Sequence, residues 1–259
     1  MNFDIMFRPD RFQDALRTRY VGRFLTYRPQ VDTTMLLARR EASEGAPHGT
    51  LVLAEEQTAG RGRKGRWFHS PPGENLYFTL VLRLPPEEQR LLPIAVPLAV
   101  CEAVRSEGVD ARIKWPNDIW IGERKLSGML IDAETGPNGV VAYPGIGINV
   151  NGDPTVHPEL VDIATSLRRE LGQPVKREEL LARICNALEA LLETPEPDVV
   201  SRYRSLSMII GREITVTPTT GEPYDAVAED IAADGSLLVR REVELEAVTA
   251  GEVTIRPRG

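Results

Sequence analysis

Residues 60–66 of this 259-residue chain, Gly-Arg-Gly-Arg-Lys-Gly-Arg, place four cations and three glycines in seven consecutive positions. Neighbouring positive charges repel one another, and glycines make a segment costly to order. Converging backbone amides and forked arginine donors suit a bound phosphate or carboxylate. From these residues alone, three interpretations stay open: a solvated loop, a phosphate cradle, or a contact with nucleic acid. The phosphate loop of nucleotide hydrolases is excluded, because no Gly-Lys-Ser/Thr follows.

A second candidate is Lys-Trp-Pro-Asn-Asp at residues 114–118, between two predicted strands. Pro116 ends the first strand, and the Asn-Asp pair that follows is a common turn sequence. The same turn would present an ammonium, an amide and a carboxylate together. That combination suits a nucleotide with Mg²⁺ on its phosphates, since the carboxylate binds the hard cation and the lysine offsets phosphate charge. A simple turn and a nucleotide contact are both compatible with this segment.

Two predicted strands contain further candidates. The strand at residues 124–132 opens with Lys125 and is expected to be interrupted at Ser127–Gly128, where a glycine often marks the close approach of another group. Lys125 could equally be an exposed hairpin lysine. In residues 145–151, Gly-Ile-Gly-Ile-Asn-Val-Asn, two alternating glycines leave room for something flat against the backbone. Asn149 offers the donor and acceptor that an adenine edge requires, although a structural turn is the alternative.

The elements that must position these residues follow from hydrophobic periodicity. Apolar and β-rich runs predict the following elements: a helix at 11–20, strands at 51–54 and 76–84, a helix at 91–106 with Pro97 in its first turns, a hairpin tip at 123–124, and helices at 177–193 and 199–206. After Ser207 the chain becomes a series of short strands, with a hairpin signal at Asp234–Gly235. The pattern indicates a mixed α/β region followed by a small β-barrel.

Composition narrows the class of protein. The net charge is −7, from 38 acidic and 31 basic residues, which disfavours a dedicated nucleic-acid binder. Cys101 and Cys185 lie in apolar helical segments and are expected to be buried thiols in a reducing compartment. Cys-x-x-Cys and His-Glu-x-x-His motifs are absent, which disfavours zinc. No apolar run approaches the ~20 residues of a membrane span, so a cytoplasmic protein without a membrane partner is expected.

Taken in order, the motifs closely resemble those of the biotin–protein ligases (biotin–[acetyl-CoA-carboxylase] ligases). The matching stretches are Asp-Thr-Thr at 32–34, Glu-Glu-Gln-Thr-Ala followed by the glycine-cation loop at 55–66, and the motifs at 114–118, 124–132 and 145–151. The resemblance implies an α+β fold. Residues 1–208 would form a class II synthetase-like mixed-sheet catalytic domain with flanking helices, and residues 209–259 a small SH3-like β-barrel.

The resemblance also implies a two-step reaction. Biotin and Mg-ATP would give biotinyl-5′-AMP and pyrophosphate, and a lysine of a biotin carboxyl carrier protein domain would then attack the mixed anhydride and release AMP. ATP and Mg²⁺ are the cofactors expected, and biotin and the carrier domain are the partners. Nucleic acid is not an expected partner, and a homodimer stays possible.

Site residues carry over by motif position. The resemblance implies that biotin is bound by Thr33, Thr34, Gln57, Gly60, Arg61, Lys125 and Gly128. The ATP and adenylate side would comprise Arg63, Lys64, Trp67, Phe68, Lys114, Asn117 and Asn149. Three residues are expected to be catalytic. Lys125 would bridge biotin's carboxylate and the α-phosphate, Arg63 would close over the adenylate, and Asp118 would orient the incoming amine and contact Mg²⁺.

Three departures from the family pattern matter. Met35 stands where members usually have asparagine, and Trp67 comes one place early, so that Phe68 holds the expected tryptophan position. Only 31 residues precede Asp32, whereas bifunctional members carry an N-terminal helix-turn-helix domain, so we expect a ligase without operator-binding function. A lipoate–protein ligase is the nearest rival, although its Arg-Arg-x-Ser-Gly-Gly-Gly-Ala-Val-Tyr-His-Asp loop is absent. A non-catalytic biotin-sensing repressor is the second alternative.

Overall fold

A computed structural model describes residues 6–62, 68–136, 139–249 and, for the backbone alone, 253–257. Its helices are α1 (Pro9–Ala15), α2 (Thr34–Ser43), α3 (Pro86–Gln89), α4 (Leu92–Arg105), α5 (Leu167–Leu171), α6 (Arg177–Leu192) and α7 (Glu196–Leu206). Its strands are β1 (Leu25–Val31), β2 (Thr50–Gln57), β3 (Leu76–Leu84), β4 (Ala111–Lys114), β5 (Asp118–Ile121), β6 (Arg124–Gly136), β7 (Gly139–Ile148), β8 (Glu213–Pro218), β9 (Tyr224–Ile231), β10 (Leu237–Arg241), β11 (Glu244–Val248) and β12 (Val253–Pro257). Two short 3₁₀ turns, Pro154–Val156 and Pro158–Leu160, follow β7.

Strands β1 to β7 form one mixed sheet in the order β1-β2-β3-β7-β6-β5-β4. Strands β1 and β2 are parallel, and the other neighbours are antiparallel. The centre of the sheet is apolar because β3 buries every residue except Arg83. Because Tyr77 of β3 pairs with Ala54 of β2 and with Gly147 of β7, the end of β2 and the end of β7 lie on either side of β3.

Helix α4 packs against β4, β5 and β6 of the sheet, and α6 packs against α4. Helix α4 buries eleven of its fourteen residues and includes Pro97 in its second turn, as the sequence predicts. The same hydrophobic core continues into the small antiparallel sheet, ordered β11-β10-β9-β8-β12, through side chains such as Ile214, Ala228 and Leu237. The predicted α+β class is confirmed. Among the described helices, none combines the length and apolar character that crossing a membrane requires.

One expectation about β6 is wrong. The strand is continuous from Arg124 to Gly136 and is not interrupted at Ser127–Gly128. Because β6 pairs with β5 on one side and β7 on the other, both ladders enforce its extended backbone. The irregularity is instead a change of register against β5, where Ile119 pairs with Ser127 and Trp120 with Lys125, so that the buried Leu126 is the extra residue.

Candidate functional site

A cavity of about 1840 Å³ brings the four candidate stretches together. Its walls come from the start of α2, the end of β2, the 114–118 turn, β6, β7 and the segment at residues 152–164. Pockets for one small ligand usually measure about 300–1,000 Å³, so this volume suits two ligands side by side. Thr33, Thr34, Gln57, Arg61, Phe68, Lys114, Asn117, Asp118, Lys125, Gly128 and Asn149 all line it.

Lys125 lies in the cavity and is held there by Asp118. Its Nζ is 2.7 Å from Asp118 Oδ1. Its backbone N–H donates to Ile163 O and its carbonyl accepts from Thr165 N, both at 2.9 Å. A Cβ on Gly128 would lie only 2.8 Å from the Lys125 Nζ, so the ammonium occupies the space that a side chain would fill. The group that approaches Gly128 closely is therefore the chain's own lysine.

The 114–118 turn is braced against β6. The Asn117 side-chain amide donates to Met129 O, and Met129 N donates to Asn117 O at 3.0 Å. Lys114 Nζ lies 3.7 Å from the centroid of the Trp120 ring, a cation–π geometry. The turn thus fixes Asp118 beside Lys125 and places the Lys114 ammonium at the same cavity wall.

A buried polar network forms the opposite end of the cavity. The Thr33 hydroxyl caps α2 by accepting from Leu36 N at 3.1 Å. The N–H and hydroxyl of Thr34 both donate to Gln57 Oε1, at 2.9 and 3.2 Å. The Thr34 hydroxyl also lies 2.9 Å from that of Thr79, a fully buried residue of β3. Sequence reasoning missed Thr79, although its hydroxyl in an apolar strand was a visible signal.

Gly60, the first residue of the glycine-cation loop, and Phe68, just beyond its end, lie next to each other. Phe68 N donates to Gly60 O at 3.0 Å, and Gln57 Nε2 donates to Ser70 Oγ at 3.2 Å. A Cβ on Gly60 would lie 2.6 Å from Phe68 O, so glycine is required for this closure. The side chain of Arg61 is exposed on the cavity wall. The predicted residues Arg63, Lys64 and Trp67 lie outside the described residues.

Two of the three glycines of β7, Gly145 and Gly147, are covered by side chains. The Met35 Cε atom lies 2.9 Å from the position of a Cβ on Gly145. The Phe68 ring lies against Gly147, where a Cβ would be 2.6 Å from two ring carbons. A flat group does rest on this strand, as the sequence predicts, and here it is the Phe68 ring. Phe68 as the cover of an adenylate stays a prediction.

Asn149 ties the end of β7 to the chain beyond it. Its side-chain amide donates to Thr165 O at 3.0 Å, and its backbone N–H donates to Leu126 O at 3.0 Å. One of its two amide hydrogens is therefore engaged within the protein. A contact with adenine, which the sequence predicts, would use the remaining donor or the side-chain oxygen.

A histidine pair links two walls of the cavity. The Nε2 atoms of His69 and His157 lie 2.9 Å apart, with ring centroids 4.0 Å apart. Two imidazoles share such a hydrogen bond only when one donates and the other accepts, so at least one ring is neutral. Burial, and secondly the neighbouring His157, lower the pKa of His69 below its usual value. The pair connects His69, which follows Phe68, to the segment of the 3₁₀ turns that contains His157.

We expect this link to weaken on acidification. Because the folded-state pKa of His69 is lowered, its contribution to stability is complete above the unfolded-state pKa of ~6.5 and is lost as the pH falls through the folded-state pKa. Hydrogen exchange at residues 153–163 should therefore accelerate as the pH is lowered from about 7 to about 5, after correction for the intrinsic exchange rate. In His69→Gln the exchange should be faster already at neutral pH and independent of pH. Identical pH profiles for both proteins would contradict this assignment.

The fit of a magnesium ion depends on Asp118. Among residues 6–62, 68–136 and 139–249, no group of three or more His, Cys, Asp or Glu side chains forms a metal cage. Mg²⁺ in nucleotide sites usually keeps several waters and binds one or two carboxylates besides the substrate phosphates. Asp118 provides one such carboxylate on the cavity wall. The site therefore fits an ion that arrives on the phosphates of ATP.

Both cysteines are structural. Cys101 and Cys185 are fully buried within the core, as predicted. Burial raises the pKa of the Cys101 thiol to about 12, so the thiol stays protonated and unreactive at neutral pH.

Comparison with known proteins identifies the family of the chain. A profile of the Biotin/lipoate A/B protein ligase family matches residues 27–151, and one of the Biotin protein ligase C terminal domain matches residues 209–256. The Mycobacterium tuberculosis biotin–[acetyl-CoA-carboxylase] ligase is 30% identical over 264 residues, which cover 95% of this chain and 96% of that protein. The chain therefore belongs to the biotin protein ligases of this family.

In other relatives, the matching region is part of a longer protein. The Bacillus subtilis bifunctional ligase/repressor BirA is 37% identical over 180 residues, covering 68% of this chain and 55% of that protein. This chain thus spans about half the length of that relative. Among solved structures, the Aquifex aeolicus biotin protein ligase in complex with biotin and ATP is similar, with a TM-score of 0.77 and 28% identity over 91% of this chain and all of that chain.

Proposed function

We propose that this protein activates biotin with ATP to biotinyl-5′-AMP and transfers the biotin to a lysine of a biotin carboxyl carrier domain. The observation that carries the proposal is the placement of Lys125. Its ammonium lies over Gly128 and against Asp118, in a cavity that also contains the Thr34–Gln57 network. The similarity to the Aquifex aeolicus ligase in complex with biotin and ATP supports both substrates.

The Thr34–Gln57 network suits the ureido ring of biotin. A ureido group has two N–H donors and one carbonyl acceptor, and Thr34, Gln57 and Ser70 are polar groups already fixed by one another. Preorganised polar groups lose little entropy on binding, which favours a small rigid ligand. Arg61 on the adjoining wall and Gly60 at the loop entrance complete this end of the site.

Lys125 would serve the first step. A carboxylate oxygen of biotin attacks the α-phosphorus of ATP, the P–O bond to the β-phosphate breaks, and pyrophosphate leaves. Two anionic groups must approach each other, so a fixed ammonium between them stabilises the transition state. Asp118 holds that ammonium in place, while Lys114 and Asn117 lie on the wall beside it. Mg²⁺ carried by ATP would offset the charge of the phosphates.

Asp118 would also serve the second step. The attacking carrier amine has a pKa near ~10.4 and must lose a proton before it can form the amide. The ammonium first releases one proton to water. The amine nitrogen then bonds to the biotinyl carbonyl carbon and gives its second proton to water, and AMP leaves with the electrons of the anhydride C–O bond. A carboxylate on the cavity wall can orient the ammonium form by hydrogen bonding. Asn149 and Phe68 are the proposed neighbours of the adenosine, and Arg63 is proposed to close over it.

The test is a transfer reaction with two candidate substrates. The protein is incubated with ATP, Mg²⁺ and either biotin or lipoate, together with a biotin carboxyl carrier domain, and the carrier is weighed by mass spectrometry. We expect attachment of biotin alone, and none to a carrier whose acceptor lysine is replaced by arginine. Equal attachment of lipoate, or no biotin-dependent exchange of pyrophosphate into ATP, would refute the proposal.

A further inference from the structure

A hydrogen bond fastens the 114–118 turn to the small C-terminal sheet. Trp115 lies within this turn, is 3% exposed, and donates its indole Nε1–H to Gly235 O at 2.8 Å. Gly235 belongs to the tip of the β9–β10 hairpin, 120 residues away along the chain. A loop of the small sheet therefore contacts the segment that carries Asp118.

The hairpin tip is shaped to present this carbonyl. Gly235 has a φ of +83°, in the left-handed region that favours glycine, and a Cβ there would lie 2.9 Å from the Cβ of Pro93 in α4. Ser236 N donates to Asp234 Oδ1 at 2.9 Å, and Ala232 N donates to Ser236 O at 2.9 Å. The tip is thus closed by its own hydrogen bonds and packed against α4, which makes it a rigid support.

The 114–118 turn is held from two sides. On one side the Asn117–Met129 hydrogen bonds attach it to β6, and on the other the Trp115 indole attaches it to Gly235. Asp118 follows directly and contacts the Lys125 ammonium. The biotin end of the cavity is built separately, from α2, β2 and β3. A change at the hairpin tip should therefore reach Asp118 and Lys125 and leave the Thr34–Gln57 network unchanged.

We propose that the β9–β10 hairpin positions the 114–118 turn for nucleotide binding, with Trp115 as the positioning residue. The proposal rests on the biotin- and ATP-dependent activity proposed above. The small sheet then contributes to catalysis through a rigid contact. In this contact it provides a backbone carbonyl, and no side chain of the sheet enters the cavity through this contact.

The test uses Trp115→Phe, which keeps an aromatic ring in the core and removes the N–H donor together with part of the indole ring. In biotin-dependent exchange of pyrophosphate into ATP, the KM for ATP should rise by about three- to tenfold, the range expected for one lost hydrogen bond. The KM for biotin should rise by less, because the Thr34–Gln57 network is unchanged. Gly235→Ala acts from the other side of the contact, through its backbone conformation and Pro93, and should shift the KM for ATP in the same direction.

A matched control separates positioning from general stability. Arg204 in α7 makes another link to the small sheet, donating to Ile231 O at 2.9 Å and pairing with Asp230 at 2.6 Å. Arg204→Gln should lower the Tm without changing the KM for ATP. An unchanged KM for ATP in Trp115→Phe, or an equal rise in Arg204→Gln, would overturn the proposal.

Hydrogen exchange makes the test independent of the activity. Peptides covering residues 114–118 should exchange faster in Trp115→Phe than in the wild-type protein without any substrate, and should be unaffected by Arg204→Gln. If the wild-type protein shows no biotin-dependent exchange of pyrophosphate, the proposed function fails, and the peptide measurement still decides the role of Trp115. Equal exchange in the wild-type and Trp115→Phe proteins would remove the positioning role.

Discussion

Replacing Lys125 with alanine should slow biotin-dependent exchange of pyrophosphate into ATP by on the order of 10²–10³, the usual cost of removing one group that stabilises transition-state charge. The ammonium is the cation that Asp118 fixes above Gly128, and alanine leaves the approaching carboxylate and phosphate without it. The fold should survive, because the Lys125 side chain is 35% exposed and its backbone contacts remain. Thermal unfolding checks the fold, and the exchange assay checks the rate.

Lys176→Ala is the matched control for this variant. Lys176 pairs with Glu179 on the surface and is 71% exposed, so its removal takes away one lysine that does not line the cavity. Its exchange rate should equal that of the wild-type protein. A wild-type rate in Lys125→Ala, or an equal loss in both variants, would remove Lys125 from the reaction.

Gly128→Ala tests the position of the same charge. The added Cβ would lie 2.8 Å from the flexible end of the Lys125 side chain, which can move away at little cost to the fold. The charge would stay in the protein while its contact with Asp118 is lost. We therefore expect a slower exchange rate with little change in Tm, and a normal rate would show that the position above Gly128 is not required.

Elements within a single apolar run were predictable from the sequence. Strand β3 begins and ends at the predicted residues Leu76 and Leu84, because a continuous apolar run is bounded by Asn75 and by Pro85–Pro86. Helix α6 begins at the predicted residue Arg177, where its apolar periodicity starts. Strand β1 was not predicted. It contains Pro29 and a basic residue, which are tolerated because β1 lies at the edge of the sheet.

The contacts within the site were harder to predict from the sequence than the identities of its residues. Lys125 and Asp118 were both expected in the site. Their contact depends on the extra residue of β6, Leu126, in its pairing with β5, and this change of register leaves no local signal in the sequence. Phe68 reaches Gly147 because its ring lies beside Tyr77 of β3, and Tyr77 pairs with Gly147 of β7. Such contacts follow from strand order, which sequence periodicity does not specify.

A buried ion pair contacts the wall of the same cavity. Arg177 and Glu55 are 5% and 1% exposed, and Arg177 Nη1 lies 2.9 Å from Glu55 Oε2. Glu55 Oε1 also accepts from Phe7 N at 2.6 Å and from the Tyr27 hydroxyl at 2.7 Å. Arg177 in turn donates to the carbonyl of Asn75, which lines the cavity. The pair therefore connects α6 to the strands that carry the site.

Arg177→Met should lower the free energy of unfolding by about 3–5 kcal/mol, because it leaves the Glu55 carboxylate buried without a compensating charge. Urea unfolding at neutral pH measures this loss. The surface variant Lys176→Ala, one residue earlier, should change the free energy of unfolding by less than about 1 kcal/mol.

The double variant Arg177→Met/Glu55→Gln decides the cause. It removes both charges and keeps a polar group that can accept from Tyr27 and Phe7, so most of the lost stability should return. If the double variant is as unstable as Arg177→Met, the loss comes from the packing and hydrogen bonds of Arg177, including its bond to Asn75, and the uncompensated charge is not the cause.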